Sequence, residues 1–531
     1  MNSLIMKNLA ILITFLLFSL YSFASSQPPL IPFPNNVEMT DSFFYPINES
    51  TVISVTDAEL LNPAKELQRI IKNKTGIDVT INETGLGNIL LSINSDLKGE
   101  EHYFLDVTNN GVTLKGASPE AVFRGITTLG QLLNLKDAFN TQFGFQGIRI
   151  DDKPRFPYRA LMLDPARHFL SVNEIKFFID QMAKYKFNVL QLHLTDDQGW
   201  RLKLENHPEL SSTEAYSKDD IQDIIDYASE KYIEIIPEID IPGHTAAFLY
   251  VYPELGCKNK QGEDIILGET QNRMLCASND KVYDIFGNVI DEITTWFPSS
   301  YIHLGGDEAA IKHNWAKCDS CLALMEELGY NEPSQLMIPF FDKMLGHVRK
   351  NGKKPILWCE LNNIYPPADD FLFPYPEDVT FVTWRYGLTP TCIELTGKNN
   401  SPLIMAPGEY AYLDYPQLQG DLPEFNNWGM PVSPLTRTYQ FDPGYGLPEA
   451  DRQHIMGVMG TLWGEAICDI NRATYMAFPR ALAIAEAGWT QMDNRDWDSF
   501  KQRLYPNLYE LMKEGVSFRV PFEIVDSVSN E

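Results

Sequence analysis

The sequence predicts an α/β chain in which a (β/α)8 TIM barrel follows a small α+β domain. Three observations carry that expectation. Residues 27 to about 150 mix strand-like and helix-like stretches in no regular order, the pattern of an α+β unit. From Arg159 onward, apolar strand candidates alternate with amphipathic helical stretches, and eight can be counted. Several of the eight are apolar throughout, as strands covered on both faces must be, and eight such units over about 330 residues suit a barrel.

The elements follow in order. Lys7, the apolar run Leu9 to Leu20 and Ser22-Phe23-Ala24 have the order of an export signal: a positive start, a short apolar stretch and a small-residue cleavage site. Residues 1–25 are therefore expected to be a signal peptide, leaving no stable membrane anchor and a periplasmic or extracellular protein. Residues 26–152 are expected to form the α+β domain. Its helices are Ala64–Lys74 and Pro119–Leu133, and its strands are Ile77–Ile81, Ile89–Ile93, Tyr103–Val107 and Val112–Lys115. Residues 153–520 are expected to form the barrel. Its strands are Ala160–Leu163, Val189–Leu194, Ile233–Ile239, Tyr301–Leu304, Pro355–Trp358, Val379–Trp384, Leu403–Ala406 and Ile455–Leu462. Ser171 with Glu174 reads as a capping box before Ile175, Phe178, Ile179 and Met182 at helical spacing. Ser217 opens a second such helix.

Composition narrows the function. A formal charge of -28 repels phosphate backbones, so a nucleic-acid partner is not expected. Seven cysteines leave at least one thiol unpaired. Cys318 and Cys321 form a C-x-x-C with no second such pair, so a local disulfide or two free thiols is expected there rather than a metal, and Cys257 with Cys276 is a further candidate pair. No cofactor and no metal are expected.

In a TIM barrel the chemistry sits where the strands end. Read in order, those ends give Asp164 to Arg167, His193 with Asp196, Glu238 to His244, and His303 to Glu308. They continue with Trp358 and Glu360, Trp384 and Arg385, Tyr412 and Asp414, and Trp463 with Glu465. Carboxylates and aromatics thus converge on one face, which suits a sugar: aromatic faces cover its C–H surfaces and charged groups bind its hydroxyls.

The segment His303-Leu-Gly-Gly-Asp307-Glu308 resembles the signature of glycoside hydrolase family 20, the β-N-acetylhexosaminidases. The stretches 193–201, 237–244 and 463–465 resemble that family's other blocks in the same order, and the N-terminal region resembles the domain that commonly precedes its barrel. The resemblance implies a carbohydrate substrate, a terminal N-acetylhexosaminide.

Asp307 and Glu308 are sequence neighbours, an awkward placement for an acid and a nucleophile on opposite sides of one bond. They suit a reaction in which the substrate supplies the nucleophile, and the resemblance implies one. The 2-acetamido oxygen would attack C1, with Glu308 as general acid and then base. Asp307 would hold the acetamide N–H, and Tyr412 its oxygen. Asp240 and His244 are expected to relay to Glu308, with Asp196 anchoring the network near His193. Partial burial and neighbouring carboxylates are expected to raise the Glu308 pKa. By the same matching Arg167, Glu465 and Asp414 would bind hydroxyls, Trp358, Trp384 and Trp463 would enclose the N-acetyl group and floor the ring, and Trp428 would lie near the mouth. Asp197 is read as a structural partner of Arg201.

Overall fold

A computed structural model describes residues 27–525, except 138–139, 266–272, 362–374, 420 and 422–429. The expected export signal lies outside the described residues. The chain divides into two compact units. One comprises the residues up to Arg155 together with Ala183–Lys186 and the chain from Ala485; the other comprises Phe156–Met182 and Phe187–Ile484.

The first unit is a mixed sheet with helices packed on it. Its strands are β1 (Asn36–Pro46), β2 (Val52–Val55), β3 (Thr80–Asn82), β4 (Ile89–Ile93), β5 (Tyr103–Thr108), β6 (Gly111–Gly116), β7 (Asn134–Asp137) and β8 (Asn140–Asp152). They lie in the order β1-β8-β5-β6-β4-β2-β3, with β7 on β8. Helices α1 (Leu61–Thr75) and α2 (Pro119–Leu132) match the two expected. Ser118 caps α2 by accepting from the Ala121 N–H, and Gly76 closes α1 at a φ of 75° that favours glycine. Leu67 and Ile71 of α1 and Ile126 and Leu129 of α2 share one core with Ile89, Leu91, Leu105 and Leu114 of the sheet. Each such fully buried side chain contributes about 1.5–3 kcal/mol. The sequence reading lacks β1, β2, β7 and β8. In β8 the alternation changes phase between Phe145 and Ile148, both buried, across Gly147, so no single period marks it.

The second unit is a closed barrel of eight parallel strands. They are β9 (Tyr158–Leu163), β10 (Val189–His193), β11 (Glu234–Ile241), β12 (Tyr301–Gly305), β13 (Lys354–Trp358), β14 (Thr380–Thr383), β15 (Leu403–Met405) and β16 (Ile455–Leu462). All eight expected strands are present. Every residue of β9 and β10 is buried, the two-sided covering that their apolar sequence predicts. Ala160, Met162, Val189, Ile236, Ile356, Val382, Ile404 and Met459 fill the barrel interior. Both expected capping devices form: Glu174 accepts from the Ser171 N–H at 2.7 Å, and Ser217 and Asp220 cap each other. Parallel closure sets all eight C-terminal ends on one rim, and everything described next stands there.

Candidate active site

Asp307 and Glu308 leave β12 through a turn that only glycine permits. Gly305 has a φ of 67°, and a Cβ there would lie 1.7 Å from Asp240 Oδ1. The Gly306 N–H instead donates to that oxygen at 3.2 Å, which fixes the turn. Glu308 itself has a φ of 47°, and His244, on the neighbouring arm after β11, a φ of 51°. Such angles are unusual for non-glycine residues and cluster where function demands a side-chain direction.

This backbone places the His244 Nε2 3.6 Å from Glu308 Oε2 and 3.9 Å from Asp307 Oδ2. On its other side, His244 Nδ1 stands 3.3 Å from Asp196 Oδ1. Asp196 in turn pairs with His193 at 2.8 Å and Arg167 at 2.9 Å. The closest contacts run Glu308–His244–Asp196, and the Asp240 carboxylate lies beside them, within 4.8 Å of His244 and Asp307. Asp240 Oδ1 accepts from the Gly306 N–H, its Oδ2 has no hydrogen-bond partner, and its backbone N–H donates to Thr195. Below the relay, Glu238 accepts from Gln191 and from the Trp358 ring N–H at 2.7 Å and faces His193 and His303.

Charge follows geometry. Burial opposes the Asp196 anion, yet Arg167 and His244 hold its pKa well below the ordinary value. Burial likewise opposes a charged His244, but Asp196 raises its pKa well above normal. Burial pushes Asp307 up to about 6, against the pull of His244 and with help from the Glu308 charge. Glu308 departs from expectation: its contact with His244 holds its pKa below the usual value, against burial. Its side chain is 52% exposed, so burial raises it too little to win.

The remaining candidates ring this center. Arg167 is fixed by Asp164 at 2.6 Å, lies over the Trp463 ring at 5.1 Å, and points its Nε toward Glu465 at 3.4 Å. Burial pushes Asp414 up to about 8, reinforced by Glu465. The hydroxyl of buried Tyr412 stays protonated, its pKa raised well above normal by burial first and then by Tyr415 and Asp414. Tyr412 packs near Trp463, which packs on Trp358, and Trp384 joins both aromatic clusters. Trp428 lies outside the described residues. Asp197 does not pair with Arg201: it accepts from the Ala246 N–H, while Arg201 donates to backbone carbonyls of Pro165, Ala166 and Glu214.

Two groups at the rim were named at the strand ends but given no role. Glu360 pairs with Arg385 at 3.0 Å and is pushed up to about 7 by burial, against Arg385. Asp164 accepts from the Arg167 and Gly464 N–H groups and so ties β9 to β16. Their strand-end positions were the available signal. Buried polar atoms are normally paired. Yet Asp240 Oδ2, Asp307 Oδ1, Asp414 Oδ1, Glu465 Oε2 and Trp384 Nε1 are buried without a hydrogen-bond partner. Four bare acceptors and a donor beside packed aromatics form a site built for a polar molecule with an apolar face.

Residues 156–492 match the model described as glycosyl hydrolase family 20, catalytic domain, and residues 27–153 match that of domain 2 of the same family. The chain belongs to glycosyl hydrolase family 20. This family 20 chain is 37% identical to a beta-hexosaminidase of Akkermansia muciniphila over 77% of its own length and 84% of the relative's. It is 32% identical to a beta-hexosaminidase of Porphyromonas gingivalis, covering 93% of the chain and 64% of that relative. Among solved structures, an N-acetyl-beta-hexosaminidase of Streptomyces plicatus, in complex with Thio-NAglucal, superposes with a TM-score of 0.79 at 30% identity, over 94% of this chain and 99% of that one. An exo beta-N-acetylglucosaminidase of Vibrio harveyi, in complex with N-acetylglucosamine, gives 0.82 at 28% identity, over 93% and 78%. The family 20 chain is a glycoside hydrolase, and its rim is where the hydrolysis is to be sought.

Proposed function

We propose that the chain is an exo-acting β-N-acetylhexosaminidase that removes terminal, non-reducing β-linked GlcNAc or GalNAc with retention of configuration. The observation that carries this reading is the pairing of Asp307 and Glu308 on one arm. Asp307 is buried with a bare oxygen, and Glu308 is half open and backed by His244. Both carboxylates approach from one side, so the attacking group comes from the sugar, whose acetamide oxygen closes on C1 to form an oxazolinium. Family 20 hydrolases work by this substrate-assisted route, an exception to the two-carboxylate rule.

In this reading Asp307 accepts the acetamide N–H and stabilises the positive charge that grows on it. Tyr412, kept protonated, donates to the acetamide oxygen and aims it, which supplies the proximity that makes the attack fast. Glu308 and His244 share one proton. A sugar covering the open half of Glu308 strips its water, disfavours separated charges and moves the proton onto the carboxyl, ready for the leaving oxygen. Once the aglycone departs, the carboxylate re-forms against His244 and activates water. Arg167, Asp414 and Glu465 bind ring hydroxyls, and the Trp358, Trp384 and Trp463 cluster receives the methyl and the ring face. His193 and Asp196 position His244, and Asp240 positions the arm.

The N-terminal run Leu9 to Leu20 behind Lys7 supports export of this enzyme, and no helix among the described residues is long and apolar enough to cross a membrane. The direct test is hydrolysis of paired aryl β-glycosides, one 2-acetamido and one 2-hydroxy, with the product anomer followed by NMR. The reading predicts cleavage of the acetamido compound alone, with the β-anomer released first. Equal cleavage of both, or initial α-anomer, would refute it.

A further inference from the structure

The sequence offers one C-x-x-C and no matching second pair, and each of those cysteines was expected to act alone or in a local disulfide. The fold instead brings four together. Cys257 and Cys276 lie on the chain between β11 and the helix Asp280–Trp296, where Gly256 bridges Leu275. Cys318 and Cys321 open the helix Asp319–Glu327, on the chain that follows β12. All four side chains are buried, and their sulfurs lie within 4.8 Å of one another.

The spacing among the sulfurs is informative. Cys276 Sγ is 3.6 Å from Cys321 Sγ and 3.9 Å from Cys318 Sγ, and Cys257 Sγ is 4.0 Å from Cys321 Sγ. Disulfide sulfurs would sit about 2.05 Å apart. Four thiolates at about 2.3 Å from a tetrahedral zinc stand about 3.8 Å from each other, the middle of the range seen here. The surroundings also suit thiolates. Ser278 Oγ is 3.2 Å from Cys276 Sγ, and Ser320 Oγ is 3.2 Å from Cys318 Sγ, so two hydroxyls are placed to donate to sulfur. Such outer hydrogen bonds fix and tune metal ligands.

We propose that Cys257, Cys276, Cys318 and Cys321 bind one Zn²⁺ ion in a closed tetrahedral site. Binding exchanges the four thiol protons, released to solvent, for four Zn–S bonds with no change of oxidation state. A four-sulfur shell leaves no open position, so the ion is structural rather than catalytic. Its place in the chain gives it a task. The arm after β11 carries His244 and reaches Cys257 and Cys276; the arm after β12 carries Asp307 and Glu308 and reaches Cys318 and Cys321. Between them Leu275 donates to Pro242 O and accepts from the Trp315 ring N–H. The zinc staples the two arms whose alignment sets the 3.6 Å approach of His244 to Glu308.

The test is metal and thiol analysis of the full exported chain, purified without chelator and dialysed. One zinc per chain, an intact mass with all seven cysteines reduced, and release of the zinc as a mercurial titrates thiols are expected. Stripping the ion should lower the denaturation midpoint, and added zinc should restore it. Cys276→Ser and Cys321→Ser should each lose the metal, whereas Cys468→Ser, at an exposed cysteine outside the cluster, should keep one zinc and full activity. The measurement on the unaltered chain stands even if the cluster variants fail to fold. A metal-free chain lighter by four hydrogens, with Cys257, Cys276, Cys318 and Cys321 in two disulfides, would overturn the proposal. So would seven free thiols and no zinc.

Discussion

Asp307→Asn isolates charge from shape at the center of the mechanism. With the acetamide N–H on the carboxylate, the growing oxazolinium charge lies about 4 Å away. At an effective permittivity of about 20 that attraction is about 4 kcal/mol, or roughly 10³-fold in rate. Asn keeps one acceptor oxygen, so a fall in kcat/KM of about 10²–10³ is expected on 2-acetamido aryl glycosides. The loss should be the same for good and poor leaving groups, because Asp307 does not touch the departing oxygen. Stability should move the other way. The Asp307 pKa of about 6 is above its unfolded value, so the ionised form burdens the fold. That penalty is full above pH 6 and gone below about pH 4, and two units correspond to about 3 kcal/mol. Asp307→Asn should therefore stabilise the chain at pH 7.5 by on the order of 2–3 kcal/mol and give no gain at pH 4. Urea unfolding at the two pH values, beside steady-state kinetics across leaving groups, checks both halves. Turnover within fivefold of wild type, or reduced stability at pH 7.5, would refute the reasoning.

Other substitutions probe the supports. Gly305→Ala sets a methyl 1.7 Å from Asp240 Oδ1 at a φ of 67°, so it should displace the Asp307 arm, cost at least about 1–2 kcal/mol in urea unfolding and abolish most turnover. Asp196→Asn should lower the His244 pKa, visible in imidazole NMR titration, and reduce kcat more than it raises KM. Glu238 is held at about 2, against burial, by His303 and His193; His303 is itself pushed down to about 4, so above that pH the charge facing Glu238 is that of His193, and the stability Glu238 contributes is lost as pH falls toward 2. Glu238→Gln should thus destabilise the chain by about 3–5 kcal/mol at pH 7, with the gap to wild type closing near pH 2 in acid unfolding.

The barrel was legible because its strands are short apolar runs punctuated by helix caps such as Ser171 and Ser217, local signals that tertiary contacts do not override. The site was legible for a related reason: strand ends share one rim, so Asp307, His244 and Arg167 could be grouped before any distance was known. What needed the structure depends on side-chain direction across strands. Asp196 and Asp240 are both strand-end carboxylates near His244, but Asp196 makes the 3.3 Å contact with its ring, while Asp240 also fixes the Gly306 N–H. The Glu308 pKa was misjudged because one imidazolium at 3.6 Å outweighs partial burial, and sequence carries no such distance. Strand β8 was hidden by a change of phase, and the four cysteines by arms that meet only in the folded barrel.

The central claim is that the sugar's own amide attacks C1. Its most direct test is a series of aryl glycosides with the 2-acetamido methyl progressively fluorinated, which drains electrons from the attacking oxygen. The account predicts that log(kcat/KM) falls steeply with each fluorine and that no sugar ester accumulates on the protein. A flat series, or a glycosyl-enzyme adduct detected by mass spectrometry, would contradict it.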